Sequence, residues 1–206
     1  MLPTGRETMT TAGTLLVTGF TVFLAGAAGW RLEYEAPIAE RLPHLHQDRR
    51  RLRWIHRTMI VALVLTPGGL GAAAGVADHP AAWAAAIAYS LGAVLWMVNL
   101  MFRLTVQEWV AEQVAGGSEI PKLFVPLLNW VGLGYTVHMF VAYLSAVPLA
   151  WALTERALIP DWLGWSGAAW GVLFSAGLAY ERFRFFFSPP IWAHMFTLCV
   201  GIALLV

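Results

Sequence analysis

Long apolar runs recur along the chain, each cut off by a cluster of proline, tryptophan or charge. A helix needs about 20 apolar residues to cross a bilayer core. Six stretches meet that length, over residues 10–30, 58–77, 81–102, 126–148, 161–180 and 190–206. The pattern predicts an all-α polytopic transmembrane helix bundle of six spans, one domain over residues 1–206. Asp78-His79-Pro80 leaves room only for a tight turn between the second and third spans. Asp161 is placed to cap the fifth. Ser188-Pro189-Pro190 is placed to start the sixth, since proline suits a first helical turn. Ala25-Gly26-Ala27 has the form of a signal-cleavage site. Cleavage there would carry an arginine-rich segment across the membrane, so the first run is expected to be a retained helix.

Charge placement orients these spans. Segment 31–57 holds Arg31, Arg41, Arg49, Arg50, Arg51, Arg53 and Arg57. Arg103, Lys122, Arg182 and Arg184 fall on the same side, against only Arg6 and Arg156 on the other. The excess predicts a cytoplasmic basic loop at 31–57, both termini outside, and a multi-pass protein of the inner (cytoplasmic) membrane. Trp83, Trp151, Trp162 and Trp165 fall near the outer interface, and Trp30, Trp54, Trp130 and Trp192 near the inner one.

Composition agrees. The chain is 59% hydrophobic and 12% charged, about half the charge of a soluble domain. The single cysteine, Cys199, excludes an internal disulfide and any multi-cysteine cluster. No basic face with interleaved aromatics lies outside the spans, so nucleic acid is not an expected partner.

In the basic loop, Glu33 to Leu42 reads as a short amphipathic helix ended by Pro43. His44, His46, Asp48 and His56 have metal-ligand chemistry, but Arg49-Arg50-Arg51 beside them would repel a cation. No metal site is expected there. Anionic lipid headgroups are, at about 1 kcal/mol per basic residue near the surface. Glu108 and Glu112 share one helix face, which reads as a solvated face or a salt-bridge partner for the arginines.

Ionisable and polar residues inside a membrane are costly and mark candidate sites. His138 sits near the midpoint of the fourth stretch, with Tyr135 and Asn129 toward its inner end. Thr66-Pro67-Gly68-Gly69 predicts a kink in the second span, because Pro67 cannot donate to the Leu63 carbonyl. With Asn99, these define a candidate polar pocket of His138, Tyr135, Thr66, Asn99 and Asn129, opening to the cytoplasm. No cofactor is required by the sequence. A b-type haem would take two axial imidazoles; His56 and His194 match in depth, whereas His138 and His194 do not. A proton-coupled carrier using His138 is a further alternative, though no Asp, Glu, Lys or Arg lies well inside a span. No nucleophile is matched with a base, so an enzyme is not the leading reading. Gly164, Gly167, Ala168 and Gly171 form a small-residue face suited to close helix contact, within the fold or with a partner.

The stretch Leu158-Ile159-Pro160-Asp161-Trp162-Leu163-Gly164-Trp165-Ser166-Gly167, with the later Pro189-Pro190-Ile191-Trp192, resembles the C-terminal third of small uncharacterised bacterial six-helix integral membrane proteins. That resemblance implies six helices and carries no activity. The function expected from the sequence is therefore binding of a lipid or apolar small molecule within the bundle, or service as an accessory subunit or homo-oligomer in a membrane complex.

Overall fold

A computed structural model describes residues 5–28, 37–180 and 184–206. All regular structure among them is helical: α1 (Gly5–Ala27), α2 (Ile38–Gln47), α3 (Arg49–Ala77), α4 (Pro80–Phe102), α5 (Glu108–Ala115), α6 (Phe124–Glu155), α7 (Asp161–Ala179), α8 (Arg184–Phe187) and α9 (Ile191–Ala203). A π turn over Arg103–Gln107 joins α4 to α5 without a break. Only helices keep every backbone group bonded in lipid without a partner strand. Four helical stretches are long and apolar enough to cross a membrane: Gly5–Ala27, Arg49–Ala77, Pro80–Ala115 and Phe124–Glu155.

Consecutive long helices pack as spatial neighbours: α1 on α3, α3 on α4, α4 on α6, and α6 on α7, with α9 closing against α1. The packing inverts the rule for soluble proteins. Buried positions of α4 are mostly small, as at Ala82, Ala85, Ala86, Gly92 and Ala93, while Ile87, Leu91, Val94, Leu95 and Val98 point outward. In lipid there is no hydrophobic drive between helices, so close approach of small residues supplies the contact.

Glycines set the closest approaches. A Cβ on Gly69 would lie 2.8 Å from Leu16, and one on Gly19 would lie 2.8 Å from Thr66 Oγ1, so α1 and α3 touch nearly backbone to backbone. A Cβ on Gly164 would collide with Thr154, one on Gly167 with Phe196, and one on Gly171 would come 2.7 Å from the Tyr143 carbonyl. The small-residue face of α7 therefore serves the protein's own fold, against α6 and α9.

Several expected boundaries move. Residue 148 does not end the fourth stretch: α6 runs through Pro148 to Glu155. Pro67 lies inside a continuous helix, α3, where it cannot donate to the Leu63 carbonyl, and its neighbouring Gly69 makes a close contact with α1. The amphipathic helix is displaced too. It covers Ile38–Gln47 with Pro43 inside it, held by Leu42, which is wholly buried against Val110, Ala111 and Phe124. Glu33, Tyr34, Glu35 and Trp30 lie outside the described residues. Asp161 is the first residue of α7, not its cap; Pro160 holds the cap position and no side chain bonds there. The tight turn forms as expected, with Asp78 left-handed at φ 45° and His79 Nδ1 accepting from the Ala81 amide at 3.1 Å.

The last apolar stretch departs most. Its helix, α9, has 13 residues, about 20 Å at 1.5 Å per residue, short of a core of about 30 Å. The break before it lies within the bundle. Tyr143, near the middle of α6, donates its hydroxyl to the Phe187 carbonyl at 2.8 Å, and Tyr135 donates to the Ser188 carbonyl at 2.5 Å. Trp192 Nε1 donates to the Phe186 carbonyl at 3.2 Å. Non-helical backbone at membrane depth survives only when protein groups satisfy it, and these ring donors do so.

Candidate functional site

The centre of the bundle holds two histidines from different helices. His138 of α6 and His194 of α9 are both 0% exposed. Trp96 of α4 stands beside each, with ring centroids 4.9 Å from His138 and 6.5 Å from His194. Phe23 of α1 stacks on His194 at 4.3 Å, and Tyr89 of α4 meets His138 edge-on at 5.5 Å. Gly92 makes the space for His138: a Cβ there would lie 3.2 Å from its Nδ1.

None of the four ring nitrogens of His138 and His194 makes a well-formed hydrogen bond among the described residues; His138 lies against the Gly92 backbone, and the Tyr89 and Thr66 hydroxyls lie against each other. Leaving one such nitrogen unpaired costs about 1–3 kcal/mol. The imidazole of His138 sits in an aromatic cage formed by Trp96 and Tyr89.

The five residues expected to share one pocket fall in four different environments. His138 and Thr66 are fully buried in the core. Tyr135 packs edge-on to Trp96 at 5.2 Å and bonds Ser188. Asn99 is buried and donates to the Val131 carbonyl at 2.8 Å, which ties α4 to α6, while it accepts from Arg103 Nε at 2.8 Å. Asn129 is exposed on the outside of α6.

The pairing of His56 with His194 is also changed. His56 lines a cleft with Arg49, Arg53, Arg103 and Gln107 at the arginine-rich end of the bundle. His194 shares Trp96 with His138. His138 stays near the midpoint of α6; it is His194 that lies deeper than its place in the sequence suggests. The start of α9 within the bundle brings His194 to meet His138.

Tyr89, Gly92, Trp96, Asn99, Arg103 and Gln107 recur every three or four residues along one strip of α4 and the π turn. That strip runs from the histidines to the cleft. The sequence reading took only Asn99 from it. The spacing was visible, but the aromatic members looked like ordinary apolar residues. At the cleft, Arg53 and Glu108 form a two-pronged ion pair, with Nε to Oε2 at 2.9 Å. Glu108 therefore joins the arginine-rich segment, while Glu112 stays exposed. At the other end, Arg156 donates to the Asp78 carbonyl at 2.8 Å, and His79 Nε2 lies 3.6 Å from Glu155. Trp54, Trp83, Trp130, Trp151, Trp162 and Trp165 are all exposed, as a membrane-interface belt requires. Trp192 is half-buried, and its Nε1 donates to the Phe186 carbonyl at 3.2 Å.

An all-α bundle with apolar outer faces, interfacial tryptophans and a buried polar centre is a multi-pass membrane protein. The chain belongs to the DUF4386 family, described as a domain of unknown function, whose model matches residues 11–206. This corrects the resemblance drawn from the C-terminal third. The family relationship covers nearly the whole chain and not only its C-terminal third. No curated protein and no solved structure matches it.

Proposed function

We propose that this protein is a non-catalytic membrane protein that holds a small, largely apolar molecule by a polar group at His138 and His194. One observation carries the reading: two wholly buried imidazoles inside an aromatic cage, with no side-chain hydrogen-bond partner for their ring nitrogens among the described residues. A neutral imidazole offers one donor and one acceptor, so the pair suits a ligand with a carbonyl or hydroxyl group and an apolar body.

The protein is one domain over residues 1–206, in the inner (cytoplasmic) membrane, with six membrane-embedded helices and both termini outside. The basic segment at 31–57 and α5 face the cytoplasm, where Arg49, Arg50 and Arg51 attract anionic headgroups. The short α9 serves as the sixth by starting within the bundle. Tyr135 and Tyr143 of α6, which satisfy the carbonyls just before α9, and the eleven-to-two excess of basic residues support this arrangement.

Mass spectrometry of lipids and small molecules extracted from the purified protein tests the reading, with a visible spectrum that reads any haem in the same sample. The expected result is one apolar species enriched over the bulk membrane lipids and lost from both His138→Leu and His194→Leu, each variant still inserting and remaining monodisperse. Extracts identical for wild type and both variants would overturn the proposal and leave the cage to buried water.

A further inference from the structure

The chain break before α9 begins with the sequence. Pro189 and Pro190 carry no N–H. Pro190 therefore cannot pair with the Phe186 carbonyl, as residue 190 would in a continuous helix. The carbonyls of Phe186, Phe187 and Ser188 take side-chain donors instead, from Trp192, Tyr143 and Tyr135 respectively. A regular helix holds its backbone with its own amides. This stretch is held by ring donors, two of them from α6.

The two tyrosines fix its depth. Tyr135 and Tyr143 are about 12 Å apart along α6 at 1.5 Å per residue, yet their hydroxyls reach neighbouring carbonyls. Those carbonyls therefore lie level with the turn between the tyrosines, which carries His138 and Met139. His194 follows one turn beyond the break, its amide donating to the Pro190 carbonyl at 3.3 Å. Tyr135 joins the break to the cage: its ring packs edge-on to Trp96 at 5.2 Å, and Trp96 stands beside both histidines. The stretch thus runs along the flank of the cage.

Its two phenylalanines face opposite ways. Phe186 is exposed at 59%, at a depth where the surroundings are lipid. Phe187 turns toward α7. It meets Phe174 edge-on at 4.8 Å and sits over Gly177, where an added Cβ would collide with its ring. Gly177 is therefore a seat for Phe187.

We propose that residues 186–190 form a lateral gate, a strap that swings aside to pass the apolar ligand between the bilayer and the histidine cage. The inference rests on the cage being a ligand site. His138 and His194 are both 0% exposed, so a ligand reaches them only if the bundle opens. Opening here breaks ring-to-carbonyl bonds and lifts Phe187 from its seat, and it leaves the helical ladders of α6 and α9 intact. Unpaired carbonyls are costly in lipid, so the strap rests closed and opens transiently. Lids of this kind commonly control access to a sequestered site.

The test labels the full chain in lipid nanodiscs with diethyl pyrocarbonate, a small uncharged reagent that acylates neutral imidazole, and follows each histidine by mass spectrometry of its peptide. In the wild type, His138 and His194 should react at least tenfold more slowly than His44, which is exposed. Tyr143→Phe removes one tether and keeps the ring that packs on Phe174. Gly177→Ala unseats Phe187. Each should speed labelling of both cage histidines at least fivefold, with His79, half-buried at the opposite end of the bundle, within twofold. Gly164→Ala overpacks α7 against Thr154, away from the strap, and should leave the cage rates within twofold. Cage rates unchanged in both strap variants would overturn the gate. An equal rise in Gly164→Ala or at His79 would also overturn it, since the whole fold would then be loosened. Wild-type cage histidines as fast as His44 would show a cage that stands open. The labelling needs no bound ligand, so it judges the gate alone, while the extraction assay judges the cage as a ligand site.

Discussion

At the scale of single residues, space decides more than chemistry. Gly167 faces Phe196 so closely that an added Cβ would collide with the ring. Gly167→Ala should therefore overpack the α7–α9 contact, at a cost of about 1–3 kcal/mol, and lower the thermal midpoint of the purified protein. Gly71, in the interior of α3, has nothing within 4 Å of its virtual Cβ. Gly71→Ala should gain up to about 1 kcal/mol from helix propensity and raise the midpoint in the same assay. Opposite signs are expected, and the same sign for both would show that local packing does not govern these positions. Gly92 is the functional counterpart. Gly92→Ala puts a methyl 3.2 Å from His138 Nδ1, so it should displace the imidazole and reduce ligand recovery in the extraction assay.

At the scale of elements, the arginine-rich end has its own small core. Leu42 is buried against Val110, Ala111 and Phe124, separately from the main cluster. This contact ties α2 to α5 and keeps Pro43 inside a helix at a position that proline disfavours. Leu42→Ala removes about 2–5 kcal/mol of packing. Trypsin should then cleave faster at Arg41 and at Arg49–Arg51, while the bundle's thermal midpoint shifts less than with Gly167→Ala. Unchanged cleavage would mean that α2 is held mainly by other contacts. The same element shows why periodicity alone misplaced the helix. Sequence reading stops at Pro43 because the ring removes one bond, but burial of a neighbouring leucine offsets that loss.

At the scale of the whole molecule, the polar groups form a path. They run from the cleft at His56 and Arg103, through Asn99, to Trp96 and the paired histidines. The ends of the bundle differ in basic charge, and the positive-inside rule turns that difference into a predicted orientation. Reporter fusions after Arg51 and at the C-terminus should report opposite sides of the membrane, with Arg51 on the cytoplasmic side. Both reporters on one side would exclude the six-helix topology and force α9 to be a re-entrant element that does not reach the far face.

Much of this molecule is legible from the chain alone. Length and apolar content dictate membrane helices, because backbone groups in lipid have no other way to bond. The turn at Asp78-His79-Pro80 and the small-residue face of α7 follow from local chemistry. His138 also stands out as costly on its own helix. Other features needed the fold. His194 meets His138 only because the chain breaks within the bundle before α9, and that break is stable only because Tyr135 and Tyr143 supply donors from another helix. Asn129 and Asn99 are chemically alike, yet one faces outward and the other ties α4 to α6. Helix rotation makes that difference, and rotation is set by which small residues interlock across the bundle. Sequence determines where a polar group lies along its helix; packing between helices decides what that group faces.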